Sequence, residues 1–176
     1  MTKNLDFDGL SSIVDEYDLF YIDLWGVVHN GIKLNDEAIL VLNQLVKINK
    51  KFVLLTNAPR PTNIVTIQLE KMGMEKVLRN HVFTSGQAAL EYLKKNYEKN
   101  YFFHIGPPKD FDLFDDFKKN KSKKIDDCDY LLCTGLFDEH FDDLSYYKTL
   151  FENHLNKKMI CTNPDLIVDK GTKREM

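Results

Sequence analysis

Several features are scarce in this chain of 176 residues, and each absence narrows the class of protein. Its three cysteines, Cys128, Cys133 and Cys161, show no Cys-x-x-Cys spacing and form an odd set, which argues against a disulfide scaffold and favours a reducing compartment. No apolar run approaches the roughly 18 residues of a membrane span, and the N-terminus has no apolar signal core. The sequence therefore predicts a cytoplasmic protein without a membrane partner.

A basic excess is also missing. The chain has 24 Lys and Arg against 27 Asp and Glu, a net charge of −3, whereas proteins that bind the phosphate backbone of nucleic acids usually carry a basic surface. The lysine-rich run 118–124 lies between acidic segments and is typical of a solvated loop. Nucleic acid is thus not an expected partner. Hydrophobic residues make up 43% of the chain, enough to bury the core of one domain or two small ones.

Short apolar runs alternate with amphipathic stretches along the chain. The apolar runs favour buried strands at 18–23, 51–57, 81–85, 101–106, 129–135 and 158–163. Helix signals lie between them: Asn35 is a predicted N-cap, Pro61 falls in a predicted first turn, and Gly73 follows a predicted helix end. This alternation predicts an α/β protein with parallel sheets covered by helices, and the pattern restarts at about residue 85.

The apolar run that ends at Asp23 carries the first functional signal. An ionised carboxylate is costly to bury without partners. The position of Asp23 at the end of an apolar strand therefore indicates a specific role for this residue. Ligands of open α/β sheets bind beyond the C-terminal ends of the strands, and Thr56 lies near the end of the next predicted strand. The Asp23 carboxylate can attack phosphorus or hold Mg²⁺, while the Thr56 hydroxyl can donate to a phosphoryl oxygen. We therefore expect a phosphate and its metal to bind there.

Simpler roles stay open for the same residues. Asp23 could cap a turn or form a salt bridge, and Thr56 could belong only to the turn into the next helix. His29 precedes Asn30-Gly31, a dipeptide that favours a type I′ hairpin turn, so we expect a short flap in which His29 is structural rather than catalytic.

Two further residues, His104 and Asp165, fall where loops of the second α/β unit would face the first. A lone histidine at a strand end is more often a hydrogen-bonded structural group.

Four motifs in order resemble the haloacid dehalogenase (HAD) superfamily, in its class IIA, NagD-like branch. They are "DLWGV" at 23–27, "LLTNAPR" at 54–60, "VFTSGQAALEYL" at 82–93 and "CTNPD" at 161–165. The resemblance implies a HAD-like Rossmannoid parallel sheet core, here partial, with an α/β class II cap domain. It divides the chain into the N-terminal part of the core (1–84), the cap (85–165) and the start of a segment that returns to the core (166–176).

The resemblance also implies roles for individual residues. The family's first motif is DxDG[TV], whose first Asp forms an aspartyl-phosphate; Asp23 matches it, and Gly26 and Val27 match the motif's end. Thr56 matches the phosphate-binding hydroxyl of the second motif, with Asn57 beside it. The implied function is a Mg²⁺-dependent phosphatase or phosphotransferase acting on a small phosphorylated metabolite. Asp23 would be nucleophile and metal ligand, and Thr56, Asn57 and Gly26 would bind the substrate phosphate. Cap residues often choose the substrate in this family, which makes His104 and Asp165 candidates for that role.

Trp25 departs from the family pattern, because it replaces the second Asp, the acid that protonates the leaving group. An indole has one N–H donor and no titratable carboxyl. Loss of a positioned acid typically slows a reaction by about 10²- to 10⁴-fold, most for poor leaving groups. The backbone carbonyl of Trp25 can still bind Mg²⁺, as the family's residue at this position does.

The family's third and fourth motifs, a lysine and an acidic pair, are not found before Met176. Lys170 and Lys173 lack the strand context and a following GDxxxTD pattern, so neither is assigned. Three hypotheses therefore stand: an enzyme impaired by Trp25 and the missing motifs, a catalytically weak protein that binds a phosphometabolite or a partner protein, and a non-functional fragment. A downstream coding sequence with GDxxxTD would favour the first.

The exposed edges of a partial parallel sheet favour pairing with another chain, so a homo-oligomer is also expected.

Overall fold

The structure, a computed structural model, describes residues 5–164, 168–170 and 173–175. The strands are β1 (Leu19–Asp23), β2 (Lys51–Thr56), β3 (Val82–Thr84), β4 (Phe102–Ile105), β5 (Tyr130–Cys133), β6 (Lys158–Cys161), β7 (Val168–Lys170) and β8 (Lys173–Glu175). The α-helices are α1 (Leu5–Asp8), α2 (Asp36–Lys47), α3 (Thr62–Lys71), α4 (Lys76–Arg79), α5 (Ser85–Asn96) and α6 (Leu144–Glu152). The 3₁₀ segments are Leu10–Ser12, Val14–Glu16, Pro108–Asn120 and Asp138–His140.

Two separate three-stranded sheets organise the described residues. The first has the order β1-β2-β3 and the second β4-β5-β6, and every strand pair within them is parallel. Strands β7 and β8 form an antiparallel pair that the sequence pattern had not indicated. The parallel sheets and the helices between their strands confirm the predicted α/β class. The domain limits at residues 84/85 and 165/166 stay a prediction, and Asp165 lies outside the described residues.

Helix ends follow their sequence signals closely. The Asn35 side chain caps α2 by accepting from the N–H of Glu37 at 3.2 Å. Gly73 follows α3 with φ +92°, and its N–H donates to Glu70 O at 2.9 Å, a conformation that glycine adopts without steric cost. Pro61 is the N-cap of α3 rather than part of its first turn, a shift of one residue.

Buried apolar faces hold the helices on the sheets. On the first sheet, buried residues of α2 and α3 share one core with residues of β2 and β3, and each fully buried Leu or Phe contributes roughly 1.5–3 kcal/mol. On the second sheet the aromatic run 111–117 supplies buried Phe114 and Phe117, in a 3₁₀ rather than an α-helical segment. The buried residues of the first core include Leu42, Leu45, Phe52, Leu54, Val65 and Leu69.

In the part of the chain described, no helix has the length and apolar character to cross a membrane.

Candidate active site

Asp23 is the last residue of β1, where it lies opposite Leu55 of β2 in the parallel register. Its side chain is exposed, so the cost of burying a carboxylate does not arise. One carboxylate oxygen, Oδ1, accepts from the N–H of Leu24 at 2.9 Å, and the same N–H also donates to Leu55 O at 3.1 Å. The backbone just after β1 therefore orients the carboxylate at the C-terminal end of the strand, where it remains open to solvent.

Thr56 ends the neighbouring strand, one residue beyond the register partner of Asp23. Adjacent strands lie about 4.8 Å apart, so both residues share one edge of the sheet. The Thr56 hydroxyl oxygen accepts from the N–H of Ala58 at 3.2 Å, and its own proton can serve as a donor. Asn57 is exposed, and its Nδ2 donates to Asn163 Oδ1 at 3.4 Å. The motif "CTNPD" thus touches the end of β2.

The segment after Asp23 folds back as a short flap. Gly26 adopts φ +81°, and its N–H donates to His29 O at 2.7 Å. The Trp25 ring meets the His29 ring edge-on at 5.2 Å, and His29 Nδ1 accepts from the N–H of Gly31 at 3.0 Å. Burial lowers the pKa of His29, although the Asp23 charge works against this. His29 thus makes structural contacts within the flap, as expected from the sequence.

The turn at the flap's tip differs from the predicted type I′ turn. Such a turn needs positive φ at both central residues, and only Gly31, at φ +84°, has it. Asn30 instead accepts on Oδ1 from the N–H groups of Ile32 and Lys33, at 3.1 and 3.0 Å. The Asn30 side chain, rather than a backbone carbonyl, thus accepts from these two N–H groups. The turn is therefore longer than the Asn30-Gly31 dipeptide pattern indicates.

A second set of contacts fixes the loop after β2, and it was missed in the sequence. Arg60 Nη2 lies 2.7 Å from Asp112 Oδ2 in an ion pair. The Arg60 carbonyl accepts from the Thr84 hydroxyl at 2.6 Å, and Ala58 O accepts from the N–H of Gly86 at 3.1 Å. Within the described residues, buried Arg60 Nε and Asp112 Oδ1 have no hydrogen-bond partner. The only sequence signal was an arginine that closes the second motif.

Gly86 allows this loop to approach the start of α5. A Cβ at this position would lie 2.5 Å from the backbone N and O of Arg60, a clash that only backbone movement could relieve. We expect Gly86→Ala to lower the free energy of unfolding by about 1–3 kcal/mol, measured by urea denaturation. The control is Gly135→Ala, whose Cβ would meet Pro107 Cδ at an ordinary 3.4 Å. Equal stability of the two variants would contradict this account of the loop.

His104 is buried inside the second unit rather than at a surface that could meet substrate. Its Nε2 lies 2.8 Å from the Thr134 hydroxyl. Burial, with a smaller effect from Lys121, lowers the pKa of His104 to about 4. Asp110 is also buried and bonded to Thr134, and burial raises its pKa. The candidate role of His104 in substrate choice is therefore replaced by a structural one.

The lowered pKa of His104 predicts a pH dependence of stability. In the unfolded chain His104 regains its ordinary pKa near 6.5. The contribution of the neutral histidine to the free energy of unfolding is therefore complete above pH 6.5 and is lost as the pH falls towards 4. Asp110 has the opposite sign, so the informative quantity is a difference. Between pH 7 and 4.5, we expect the wild type to lose about 2 kcal/mol more unfolding free energy than His104→Gln, measured in urea. Equal losses would contradict the assignment.

The end of β1 offers few side-chain ligands for a metal ion. Among the residues that the structure describes, no group of three or more His, Cys, Asp or Glu side chains could hold a metal ion. Asp23 supplies one exposed carboxylate. Oxygen ligands suit Mg²⁺, which is usually bound by one or two carboxylates with waters and substrate phosphates. The donor chemistry therefore fits Mg²⁺, with a small number of protein ligands.

Fold and site together define an α/β protein with an aspartate and a threonine at adjacent ends of parallel strands. Residues 20–118 match a family described as haloacid dehalogenase-like hydrolase. This match covers more than half of the chain, which therefore belongs to that family. The haloacid dehalogenase assignment made from the motifs is confirmed, and its class IIA, NagD-like branch stays a prediction. A comparison with curated proteins finds no match.

Solved structures share the fold over most of the chain. A haloacid dehalogenase-like hydrolase from Brucella suis 1330 matches with 29% identity and a TM-score of 0.80, over 94% of this chain and 60% of that one. NagD from E. coli K-12 matches with 18% identity and a TM-score of 0.58, over 84% and 57%. A glycerol phosphate phosphatase from Mycobacterium tuberculosis, solved in complex with magnesium, matches with 20% identity and a TM-score of 0.63, over 89% and 47%. This chain thus spans about 60% of the length of the first structure.

Proposed function

We propose that this chain carries the nucleophile and phosphate-binding half of a Mg²⁺-dependent phosphatase or phosphotransferase site for small phosphorylated metabolites. The supporting observation is the exposed Asp23 carboxylate at the C-terminal end of β1, beside the end of β2 at Thr56, in a member of the haloacid dehalogenase-like family. The net charge of −3 and the three free cysteines support a cytoplasmic protein that does not bind nucleic acid.

Asp23 would act by nucleophilic catalysis. One of its oxygens is held by the N–H of Leu24, which leaves the other to attack phosphorus as the leaving-group oxygen departs. Water then hydrolyses the aspartyl-phosphate and restores the carboxylate. The Thr56 hydroxyl and the Asn57 amide would donate to phosphoryl oxygens, and the Gly26 backbone would border the phosphate.

Mg²⁺, when bound, would neutralise charge on the phosphoryl oxygens. The Asp23 carboxylate and the Trp25 backbone carbonyl are the oxygen donors that would hold it. Because the described residues contain no group of three or more candidate side-chain ligands, we expect weak Mg²⁺ binding in the absence of a phosphate ligand.

Trp25 would set the preference among leaving groups. Its ring packs against His29 and supplies no acid. The leaving groups of acyl and aryl phosphates depart without protonation more readily than the alkoxides of alkyl phosphates. We therefore expect acyl and aryl phosphates to react and alkyl phosphates to react slowest. The lack of an acid at Trp25 favours a second candidate function, a binding protein that holds a phosphometabolite without turning it over.

Phosphate release from three compounds tests the proposal: acetyl phosphate, p-nitrophenyl phosphate and glycerol phosphate, each with Mg²⁺ or with EDTA. We expect Mg²⁺-dependent release that is slower by about 10²-fold or more for glycerol phosphate. Binding of beryllium fluoride, a phosphoryl mimic, without any turnover would favour the second candidate. Neither turnover nor binding would overturn both.

A further inference from the structure

Two cysteines lie side by side in the second sheet. Cys133 is the last residue of β5 and Cys161 the last residue of β6, and the parallel register pairs them directly. The third cysteine, Cys128, is buried before β5 and bonds through its sulfur to Ile125 O at 3.1 Å. All three are free thiols. The sequence spacing gave no sign of the pair, because 27 residues separate its members.

The register gives the pair the geometry of a disulfide. Neighbouring strands lie about 4.8 Å apart, and side chains of directly paired residues project from the same face of the sheet. A disulfide joins Cα atoms separated by roughly 4.4–6.8 Å. Cys133 and Cys161 can therefore be bridged without moving β5 or β6 apart. The Cys161 side chain lies close enough to Cys133 to contribute to the raised pKa of the Cys133 thiol.

The two thiols differ in access. Cys161 is exposed, and its sulfur bonds to Asn163 O at 3.3 Å. Cys133 is half-buried and bonds to Gly135 O at 3.5 Å. Burial, with a further effect from Cys161, raises the pKa of Cys133 to about 12, so this thiol is a poor entry point for a reagent. Cys161 is thus the thiol that a dissolved disulfide meets first.

We propose that Cys133 and Cys161 form a redox-active dithiol that small-molecule disulfides oxidise to an intramolecular disulfide. The Cys161 sulfur attacks the reagent RSSR, and RSH leaves as a mixed disulfide forms. The Cys133 sulfur then attacks the Cys161 sulfur and displaces a second RSH. In sum, the two protein thiols lose two electrons and two protons, and RSSR is reduced to two RSH. The proposal is independent of the proposed phosphatase function.

The test uses the whole chain with oxidised glutathione as the probe. After incubation and denaturation, free thiols are counted and the peptides are mapped by mass without reduction. We expect the count to fall from three to one, with Cys128 as the remaining thiol and a peptide that links Cys133 to Cys161. Dithiothreitol should restore all three thiols. An unchanged count, a stable glutathione adduct on Cys161, or a link to Cys128 or to a second chain would overturn the proposal.

Two variants sharpen the result. Cys128→Ser is the matched control, and oxidation should still take it from two free thiols to none. Cys133→Ser removes the resolving thiol, so glutathione should remain attached to Cys161 and add its mass to the protein. Internal cross-linking that needs Cys128, or no adduct in Cys133→Ser, would contradict the assigned order of attack.

Discussion

Asp23→Asn is expected to abolish the Mg²⁺-dependent hydrolysis of acetyl phosphate and p-nitrophenyl phosphate. The amide has nearly the shape of the carboxylate and can still accept from the N–H of Leu24, so the local fold should persist. It cannot attack phosphorus, and loss of a nucleophile typically lowers kcat by about 10³-fold or more. Phosphate release with each substrate, measured at equal protein concentration, gives the comparison.

The matched control for this variant is Asp18→Asn. Asp18 is exposed and lies just before β1, at the end of the strand opposite to Asp23. The Asp18→Asn variant makes the same change of charge without altering the proposed site, so its rates should equal those of the wild type. An active Asp23→Asn protein would refute Asp23 as the nucleophile, and equal losses in both variants would point to an effect of net charge.

Trp25→Asp is expected to raise the turnover of poor leaving groups. The new carboxyl would stand where the family has its general acid, and a positioned acid is worth about 10²- to 10⁴-fold. Glycerol phosphate should gain most, p-nitrophenyl phosphate less and acetyl phosphate least, because protonation matters less as the leaving group improves. The kcat of each substrate, with melting temperature as a check on folding, measures the effect.

Trp25→Phe separates acid chemistry from loss of the ring contact. Phenylalanine keeps an aromatic ring for His29 and has no proton to give. Its rates should stay near those of the wild type for all three substrates. A gain in Trp25→Phe as large as in Trp25→Asp would show that the indole obstructs the site. No gain in either variant would mean that another group already supplies the proton.

The architecture was predictable because local signals agreed with one another. The apolar runs that end at Asp23 and Thr56 had strand length, and the Asn35 and Gly73 signals bounded helices that the structure contains. Parallel pairing then followed from the alternation of strands and helices. The β7–β8 pair was missed because its strands, VDK and KRE, are mostly charged and lack the apolar run that marked the other strands.

Contacts between distant parts of the chain could not be predicted in the same way. The ion pair of Arg60 with Asp112 joins residues 52 positions apart, and the pairing of Cys133 with Cys161 depends on register. The burial of His104 likewise follows from packing around its strand rather than from its neighbours in sequence. Each of these features is set by tertiary packing, which motif spacing does not encode.

The central claim is that Asp23 receives the phosphoryl group, and trapping the acyl phosphate tests it most directly. The chain is incubated with acetyl phosphate and Mg²⁺, quenched and treated with borohydride, which reduces an aspartyl-phosphate to homoserine. Peptide mass mapping should find homoserine at position 23 in the wild type and in Asp18→Asn, and none in Asp23→Asn. Homoserine at another aspartate, or phosphate release with position 23 unmodified in the wild type, would contradict the account.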